Sequence, residues 1–145
     1  TRTFSKTFML AGLRLGYMIA NPEITETTKK ISGLYPINAL THVAGVAALD
    51  DLARTQRYSS EVKQATLYAV KELQKIGLEA MPTQASLVLF KHPSIPPQKV
   101  QKMLEKQNVF VRYPFFKELP DWLRMNVGTV ASTRKLLAIF EKVFK

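Results

Sequence analysis

TRTFSKTFMLAGLRLGYMIA, residues 1–20, is the stretch from which the rest of the chain can be interpreted. Its pattern predicts the end of a strand, a turn that holds Ser5 and Lys6, a bend at Ala11-Gly12, and a new strand over residues 15–20. A lysine is a nucleophile only as a neutral amine, and nearby positive charge or removal from water favours that form. The chemistry of this stretch therefore depends on what surrounds Lys6 after folding.

The charged and hydroxyl side chains near Lys6 suggest a ligand that is both an aldehyde and a phosphate. A neutral lysine can attack an aldehyde and hold it as an imine, and Arg2 and Arg14 lie on either side of Lys6 in the sequence. Arg14 offers a planar fork of donors and Ser5 a small hydroxyl donor, and both side-chain types commonly hold phosphate. Pyridoxal phosphate is the cofactor that fits this combination.

Each of these residues alone is weak support, because a single lysine is usually a solvated surface charge. The whole string is more specific. It resembles the lysine signature R-T-x-S-K-x-x-x-x-A-G-x-R-x-G-Y of the fold-type I pyridoxal-phosphate enzymes, in particular the class I/II aminotransferases of the histidinol-phosphate type. The matching positions are Arg2-Thr3, Ser5-Lys6, Ala11-Gly12, Arg14 and Gly16-Tyr17.

The resemblance implies a homodimeric aminotransferase that moves an amino group between an amino acid or amino-phosphate and a 2-oxo acid. It implies that Lys6 is the catalytic, cofactor-bonding lysine and that Ser5 and Arg14 hold the cofactor phosphate. A decarboxylase or lyase on the same scaffold is an alternative, because these residues do not set the reaction type. An inactive remnant is another, because the aspartate and the stacking ring that the resemblance implies would precede Thr1.

The composition permits a folded domain and excludes some other classes of site. The chain has 145 residues, of which 46% are hydrophobic, enough for a core. It has no cysteine, which rules out disulfides and thiolate metal sites. No segment approaches the roughly 20 apolar residues of a membrane span, and no signal peptide is visible. We therefore expect a cytoplasmic protein that does not enter a membrane.

The net charge of +10 raises nucleic acid as a partner. Specific binding needs basic residues clustered on one face, often with aromatic residues between them. The lysines here are instead spread along the chain, mostly on the polar sides of predicted helices. Small-molecule substrates are therefore the expected partners, and specific nucleic-acid binding is not.

The pattern along the chain predicts an α/β protein made of two parts. Residues 1–50 resemble the end of the large, cofactor-binding domain of the family. Residues 57–145 are predicted to form its small C-terminal domain, a two-layer unit with helices on one face of a mainly antiparallel sheet. Helices are predicted over residues 22–31, 39–52, 57–76 and 96–108 and near the C terminus. Strands are predicted over residues 78–81, 86–90, 109–112 and 123–127.

Two of these predictions concern burial. The helix from Ala39 is apolar on nearly all sides, and such a helix is normally buried. The strand over residues 15–20 resembles part of a large sheet whose other strands would precede Thr1. We therefore expect that strand to be an exposed edge, to pair with another chain or to be disordered, and the chain to be a fragment of a longer protein.

Two arginines in predicted strands are candidate substrate ligands. An arginine in an otherwise apolar strand is costly to bury unless it faces a cleft or a partner. A solvent-facing arginine at a sheet edge is the simpler alternative. The resemblance implies that Arg124, in the run L-R-M-N-V-G-T, holds an acidic group of the substrate, and that Arg112 makes a second anionic contact. Phe115 and Phe116 are predicted to lie in the core or in a cleft wall.

Overall fold

The computed structural model describes residues 1–113 and 117–145, which form two compact units, Thr1–Ser59 and Ser60–Lys145. The boundary between the units lies inside a long helix. The assignment of residues 1–50 and 57–145 to a large and a small domain stays a prediction. Phe115 and Phe116 lie outside the described residues. No helix in the described parts of the chain is long and apolar enough to cross a bilayer.

The first unit consists of a small hairpin followed by helices. Its elements are β1 (Arg2–Thr3), a 3-10 helix (Ala11–Leu13), β2 (Gly16–Tyr17), α1 (Pro22–Ile31), α2 (Ala39–Asp50) and the start of α3 (Leu52–Lys75). Strands β1 and β2 are antiparallel and form a two-stranded sheet, so each pairs on one side only. The predicted strand over residues 15–20 is thus shorter than expected, and it is an edge.

Helix α1 begins where the sequence predicts. The Asn21 side chain accepts a hydrogen bond from the Ile24 amide at 2.9 Å, and Pro22 occupies the first helical position, where no amide hydrogen is needed. Helix α2 begins in the same way, with Asn38 accepting from the Thr41 amide at 2.9 Å. Two asparagine caps therefore set the start of both helices.

The predicted burial of α2 is wrong for this chain. Leu40 is 79% exposed and Val43 65% exposed, whereas Thr41 and Gly45 are buried. The helix is apolar on almost all sides, but the hairpin that it contacts covers only one narrow stripe. An apolar composition thus did not determine which face of α2 would be covered.

The second unit contains a three-stranded antiparallel sheet in the order β3-β4-β5. Its elements, after the greater part of α3, are β3 (Glu79–Ala80), β4 (Leu87–Lys91), α4 (Pro97–Glu105), β5 (Leu123–Asn126) and α5 (Val130–Phe144). Gly77 ends the turn after α3 with a φ of 83°, a left-handed conformation that suits a glycine at the end of a helix. The mainly antiparallel sheet with accompanying helices agrees with the predicted fold class.

The core of the second unit lies on one face of this sheet. Val88 and Phe90 of β4 are fully buried, and they pair with Met125 and Leu123 of β5. Residues between them, such as Leu89, are only half-buried and lie on the other face, as the two-residue period of a strand requires. The core also includes the buried faces of α3, α4 and α5.

The prediction of a strand over residues 109–112 is wrong except at its last residue. The Val109 amide donates to the Leu104 carbonyl at the end of α4, so it is not available to a neighbouring strand. Only Arg112 pairs, in an isolated antiparallel bridge with Arg124. Val109 and Val111 are nevertheless buried, so the apolar pattern reflects burial and not sheet pairing.

Candidate active site

Ser5, Lys6 and Arg14 lie on one closed loop, which we call the lysine loop and define as residues 5–14. Its two ends are held together by backbone contacts, because Thr3 pairs with Gly16 and the Phe4 amide donates to the Leu15 carbonyl at 3.0 Å. Ser5 and Arg14 are thus the first and last residues of a loop whose ends are in hydrogen-bond contact.

Hydrogen bonds inside the lysine loop fold it back on itself. The Leu10 amide donates to the Phe4 carbonyl at 3.1 Å, and the Met9 amide donates to the Lys6 carbonyl at 2.9 Å. Met9 has a φ of 58°, a left-handed conformation that non-glycine residues seldom adopt. The backbone around Lys6 is therefore a compact turn, as predicted from the sequence.

Phe4 anchors this loop. It is 5% exposed, stacks on Phe8 at a centroid distance of 4.5 Å, and meets Tyr17 edge-on at 6.3 Å. Among the described residues of the first unit, Phe4 is the one hydrophobic residue that is buried. The three rings give the hairpin a small apolar support of its own.

The polar groups of the loop fit a phosphate-bearing aldehyde. Lys6 and Arg14 are exposed and Ser5 is half-buried. Within the described residues, neither cation has a carboxylate within 4.0 Å. Arg14 uses one guanidinium nitrogen to donate to the Ala11 carbonyl at 2.9 Å, which leaves its other donors available. A hydroxyl, a guanidinium and an amine on one loop are a suitable donor set for a phosphate and an aldehyde.

The second unit brings Arg112 and Arg124 together. Each donates its backbone amide to the other's carbonyl, at 2.9 and 2.7 Å, so the two residues are directly opposite across an antiparallel bridge. Side chains of such a pair project from the same face of the sheet. Two like charges placed there repel each other unless an anion lies between or beside them.

This arginine pair lines an open cavity of about 660 Å³. Arg124 itself lies on the sheet face opposite the core, because it alternates with the buried Leu123 and Met125. None of the described lining residues is acidic, and no described carboxylate lies within 4.0 Å of either guanidinium. The cavity is therefore a basic pocket whose two guanidinium groups have no carboxylate partner in the described parts of the chain, which suits an anionic ligand.

The structure also identifies polar lining residues that the sequence did not single out. The cavity that the two arginines line is also lined by Gln101 of α4, by Tyr113, and by Asn126 at the end of β5. Gln101 donates to the Val111 carbonyl at 3.3 Å, and the Tyr113 hydroxyl donates to the Pro120 carbonyl. These residues come from separate segments with no shared local pattern, so only the fold brings them together.

Comparison with known proteins identifies the family. The sequence model of the family "Aminotransferase class I and II" matches residues 1–140 of this chain. Histidinol-phosphate aminotransferase of Symbiobacterium thermophilum is 35% identical over 94% of this chain, and that of Syntrophus aciditrophicus is 30% identical over 99%. The chain spans 37% and 40% of the length of these two relatives.

Solved structures show the same fold. Histidinol-phosphate aminotransferase of Clostridium acetobutylicum has a TM-score of 0.90 at 24% identity, with 98% of this chain and 44% of that one covered. The enzyme of Sinorhizobium meliloti, solved in complex with pyridoxal-5'-phosphate, has a TM-score of 0.86 at 22% identity, with 99% and 40% covered. The chain belongs to the aminotransferase class I and II family, whose cofactor is pyridoxal phosphate.

Proposed function

We propose that this chain carries the cofactor-bonding and substrate-binding parts of a pyridoxal-phosphate aminotransferase of the histidinol-phosphate type. The observation that carries the proposal is the lysine loop, in which the family match coincides with a closed turn that presents Ser5, Lys6 and Arg14. The reaction would move an amino group between an amino acid or amino-phosphate and a 2-oxo acid. The cofactor, when bound, supplies the electron sink that this chemistry needs.

Each residue of the lysine loop has a separate task in this proposal. Lys6 would hold the cofactor aldehyde through its amine and would carry a proton to or from the substrate carbon as a general acid and base. Ser5 would hold the phosphate through its hydroxyl donor and Arg14 through its charged guanidinium donors. Both residues lie next to the hydrogen bonds that close the loop.

Covalent labelling tests the task of Lys6. The 145-residue chain is mixed with one equivalent of pyridoxal phosphate, reduced with borohydride, digested, and searched for the pyridoxyl mass on each lysine. We expect the label mainly on Lys6, with the total falling sharply in Lys6→Ala. Lys30→Ala, which removes an exposed lysine of α1, is the matched control. A label spread evenly over the lysines, or unchanged in Lys6→Ala, would contradict the proposal.

For the substrate, we propose that Arg112 and Arg124 hold an anionic group together. The support is their direct cross-strand pairing, the absence of a described carboxylate near them, and the basic cavity that they line. The names of the relatives make an amino-phosphate the natural candidate. A phosphomonoester has two negative charges at neutral pH, which two guanidinium groups can balance.

Titration with histidinol phosphate, followed by NMR, tests whether Arg112 and Arg124 bind the substrate. Arg124→Gln and Arg112→Gln should each weaken binding of histidinol phosphate by about ten- to a hundredfold, since each removes a charged hydrogen bond. Arg134→Gln is the matched control, because Arg134 lies over the Tyr68 ring at 6.0 Å and does not line the cavity. Equal affinities in all three variants would exclude the pair from the substrate site.

A decarboxylase is a second candidate, and one observation favours it. The L-threonine-O-3-phosphate decarboxylase of Porphyromonas gingivalis has a TM-score of 0.79 at 22% identity over 97% of this chain. The two reactions differ in what leaves the substrate. Release of carbon dioxide from an amino acid, measured with the whole protein, would favour this alternative over transamination.

A homodimer and a cytoplasmic location are further parts of the proposal. The exposed apolar surface of the first unit, which includes Leu34 at 93% and Tyr35 at 92% exposure, supports contact with another protein surface. Sedimentation of the whole protein tests the dimer. Fractionation of cells that express it tests the location.

A further inference from the structure

Helix α2 contacts the hairpin through one stripe that flanks Arg14. Thr41 and Gly45 are the two buried residues of α2, and they lie four residues apart on one helical face. The Thr41 hydroxyl donates to the Leu13 carbonyl at 3.3 Å, and a methyl group added at Gly45 would lie 2.6 Å from Leu15 Cδ2. Leu13 and Leu15 are the residues before and after Arg14, so α2 contacts the backbone carbonyl on one side of it and the Leu15 side chain on the other.

The hydrogen bond of Thr41 differs from those of other helical threonines in the chain. Threonine hydroxyls in helices commonly donate to the carbonyl three or four residues earlier in the same helix. The threonines that do so here are Thr25, Thr27, Thr28, Thr55 and Thr66, the last of which also contacts the Ala85 carbonyl at 3.4 Å. Thr41 instead donates to a carbonyl 28 residues away, while its own amide is capped by Asn38.

Arg14 is a residue that needs such support. Its φ of 53° and ψ of 36° place it in the left-handed region, which is unfavourable for a side chain with a Cβ and persists where the surroundings hold it. Leu13 ends the 3-10 helix, where carbonyl groups lack partners within the helix. The Thr41 hydroxyl supplies a partner at the residue before the left-handed turn.

We propose that Thr41 is a positioning residue for the cofactor phosphate: by holding the Leu13 carbonyl it keeps Arg14 in its left-handed conformation and aims the guanidinium at the phosphate. This inference rests on the proposed function, because it assigns Thr41 a role that acts through Arg14. Gly45 assists, because its lack of a side chain allows Leu15 to lie against α2.

A comparison of two ligands separates positioning from general stability. Thr41→Val removes the hydroxyl and keeps the shape, and Thr41→Ser keeps the hydroxyl. Binding of pyridoxal phosphate and of pyridoxal, which lacks the phosphate, is measured by the absorbance of the bound chromophore. Thr41→Val should weaken pyridoxal phosphate by about three- to tenfold, the size of one lost hydrogen bond, and leave pyridoxal unchanged. Thr41→Ser should restore the ratio of the two affinities.

A double-mutant cycle shows whether the effect passes through Arg14. In an Arg14→Ala background, Thr41→Val should have almost no further effect on pyridoxal phosphate, because the group that it positions is gone. Thr66→Val is the matched control, since Thr66 is equally buried, at 2% exposure, but its hydroxyl donates to the Val62 and Ala85 carbonyls, neither of which belongs to the lysine loop. It should leave the ratio of affinities unchanged.

The outcomes distinguish this inference from the proposed function. If Arg14→Ala does not weaken pyridoxal phosphate, the proposed function fails. If Arg14→Ala weakens it but Thr41→Val does not, or weakens both ligands equally, the positioning role is wrong. If Thr41→Val does not fold, Gly45→Ala takes its place. This substitution raises helix propensity but displaces the Leu15 side chain. It should lower the affinity for pyridoxal phosphate relative to that for pyridoxal. An unchanged ratio of the two affinities would overturn the inference.

Discussion

The two units of this chain distribute their apolar side chains in opposite ways. Among the described residues, seventeen of the eighteen buried hydrophobic residues belong to Ser60–Lys145, whereas thirteen of the fifteen large exposed ones belong to Thr1–Ser59. The second unit therefore carries its own core, and the first does not. The lysine loop lies on the poorly covered unit and the arginine pair on the well-packed one.

This difference separates two sources of local order. In the second unit, strand alternation and helix periodicity agree with burial, so a packed core holds the elements. In the first unit, order depends on individual contacts: the asparagine caps, the Phe4 cluster, and the Thr41 hydrogen bond. A site built on such contacts is sensitive to single substitutions that would leave a packed core intact.

The largest expected effect concerns the core of the second unit. Phe90 is fully buried and meets Phe140 edge-on at a centroid distance of 5.3 Å, so Phe90→Ala should lower the free energy of unfolding by about 3–5 kcal/mol. Leu40→Ala, on the exposed face of α2, should change it by about 0.5 kcal/mol or less. Urea denaturation followed by circular dichroism measures both. Equal losses would contradict the contrast between the units.

Hydrogen exchange should show the same contrast residue by residue. We expect the amides of β4 and the buried turns of α5 to exchange slower than those of α1 and α2 by roughly two orders of magnitude or more, because local opening costs less without a core. NMR spectra of the amide protons, recorded after timed exposure to deuterium, measure this. Similar protection in α2 and α5 would show that the first unit is stabilised by something beyond these contacts.

The exposed apolar surface of the first unit should make the chain associate. Leu40→Glu and Leu34→Glu should each reduce concentration-dependent association in sedimentation velocity, because they place a charge on this surface. Leu67→Glu is the control, since Leu67 is 61% exposed but lies on α3 in the second unit. An equal reduction by Leu67→Glu would mean that this apolar surface is not the site of association.

The smallest expected effect is at the C terminus. Lys145 donates a hydrogen bond to Glu141, which lowers the pKa of that carboxyl below its ordinary value of 4.5. A carboxyl whose pKa is lower in the folded state than in the unfolded state stabilises the fold when the pH is above the ordinary, unfolded-state pKa. This contribution is lost as the pH falls through the folded-state pKa. Glu141→Gln should thus lower Tm slightly at pH 7, and this difference should shrink as the pH falls below 4.5.

Much of the site could be anticipated from local sequence. The signature from Arg2 to Tyr17 indicated the family and its cofactor, and Asn21-Pro22 indicated the start of α1. Both were readable because signature and capping patterns involve residues close in the chain. The arginine pair could be named from the sequence, but its direct pairing could not. Arg112 and Arg124 are joined by a single bridge across two separate segments.

By itself, the sequence determined the family, the lysine loop and the alternating core of the second unit, because these follow from neighbouring residues and short periods. Only the tertiary structure decided which stripe of α2 is covered, that Thr41 reaches the carbonyl before Arg14, and that two arginines share one basic cavity. Each of these features depends on contacts between residues that are far apart in the chain. A local sequence pattern does not specify such contacts.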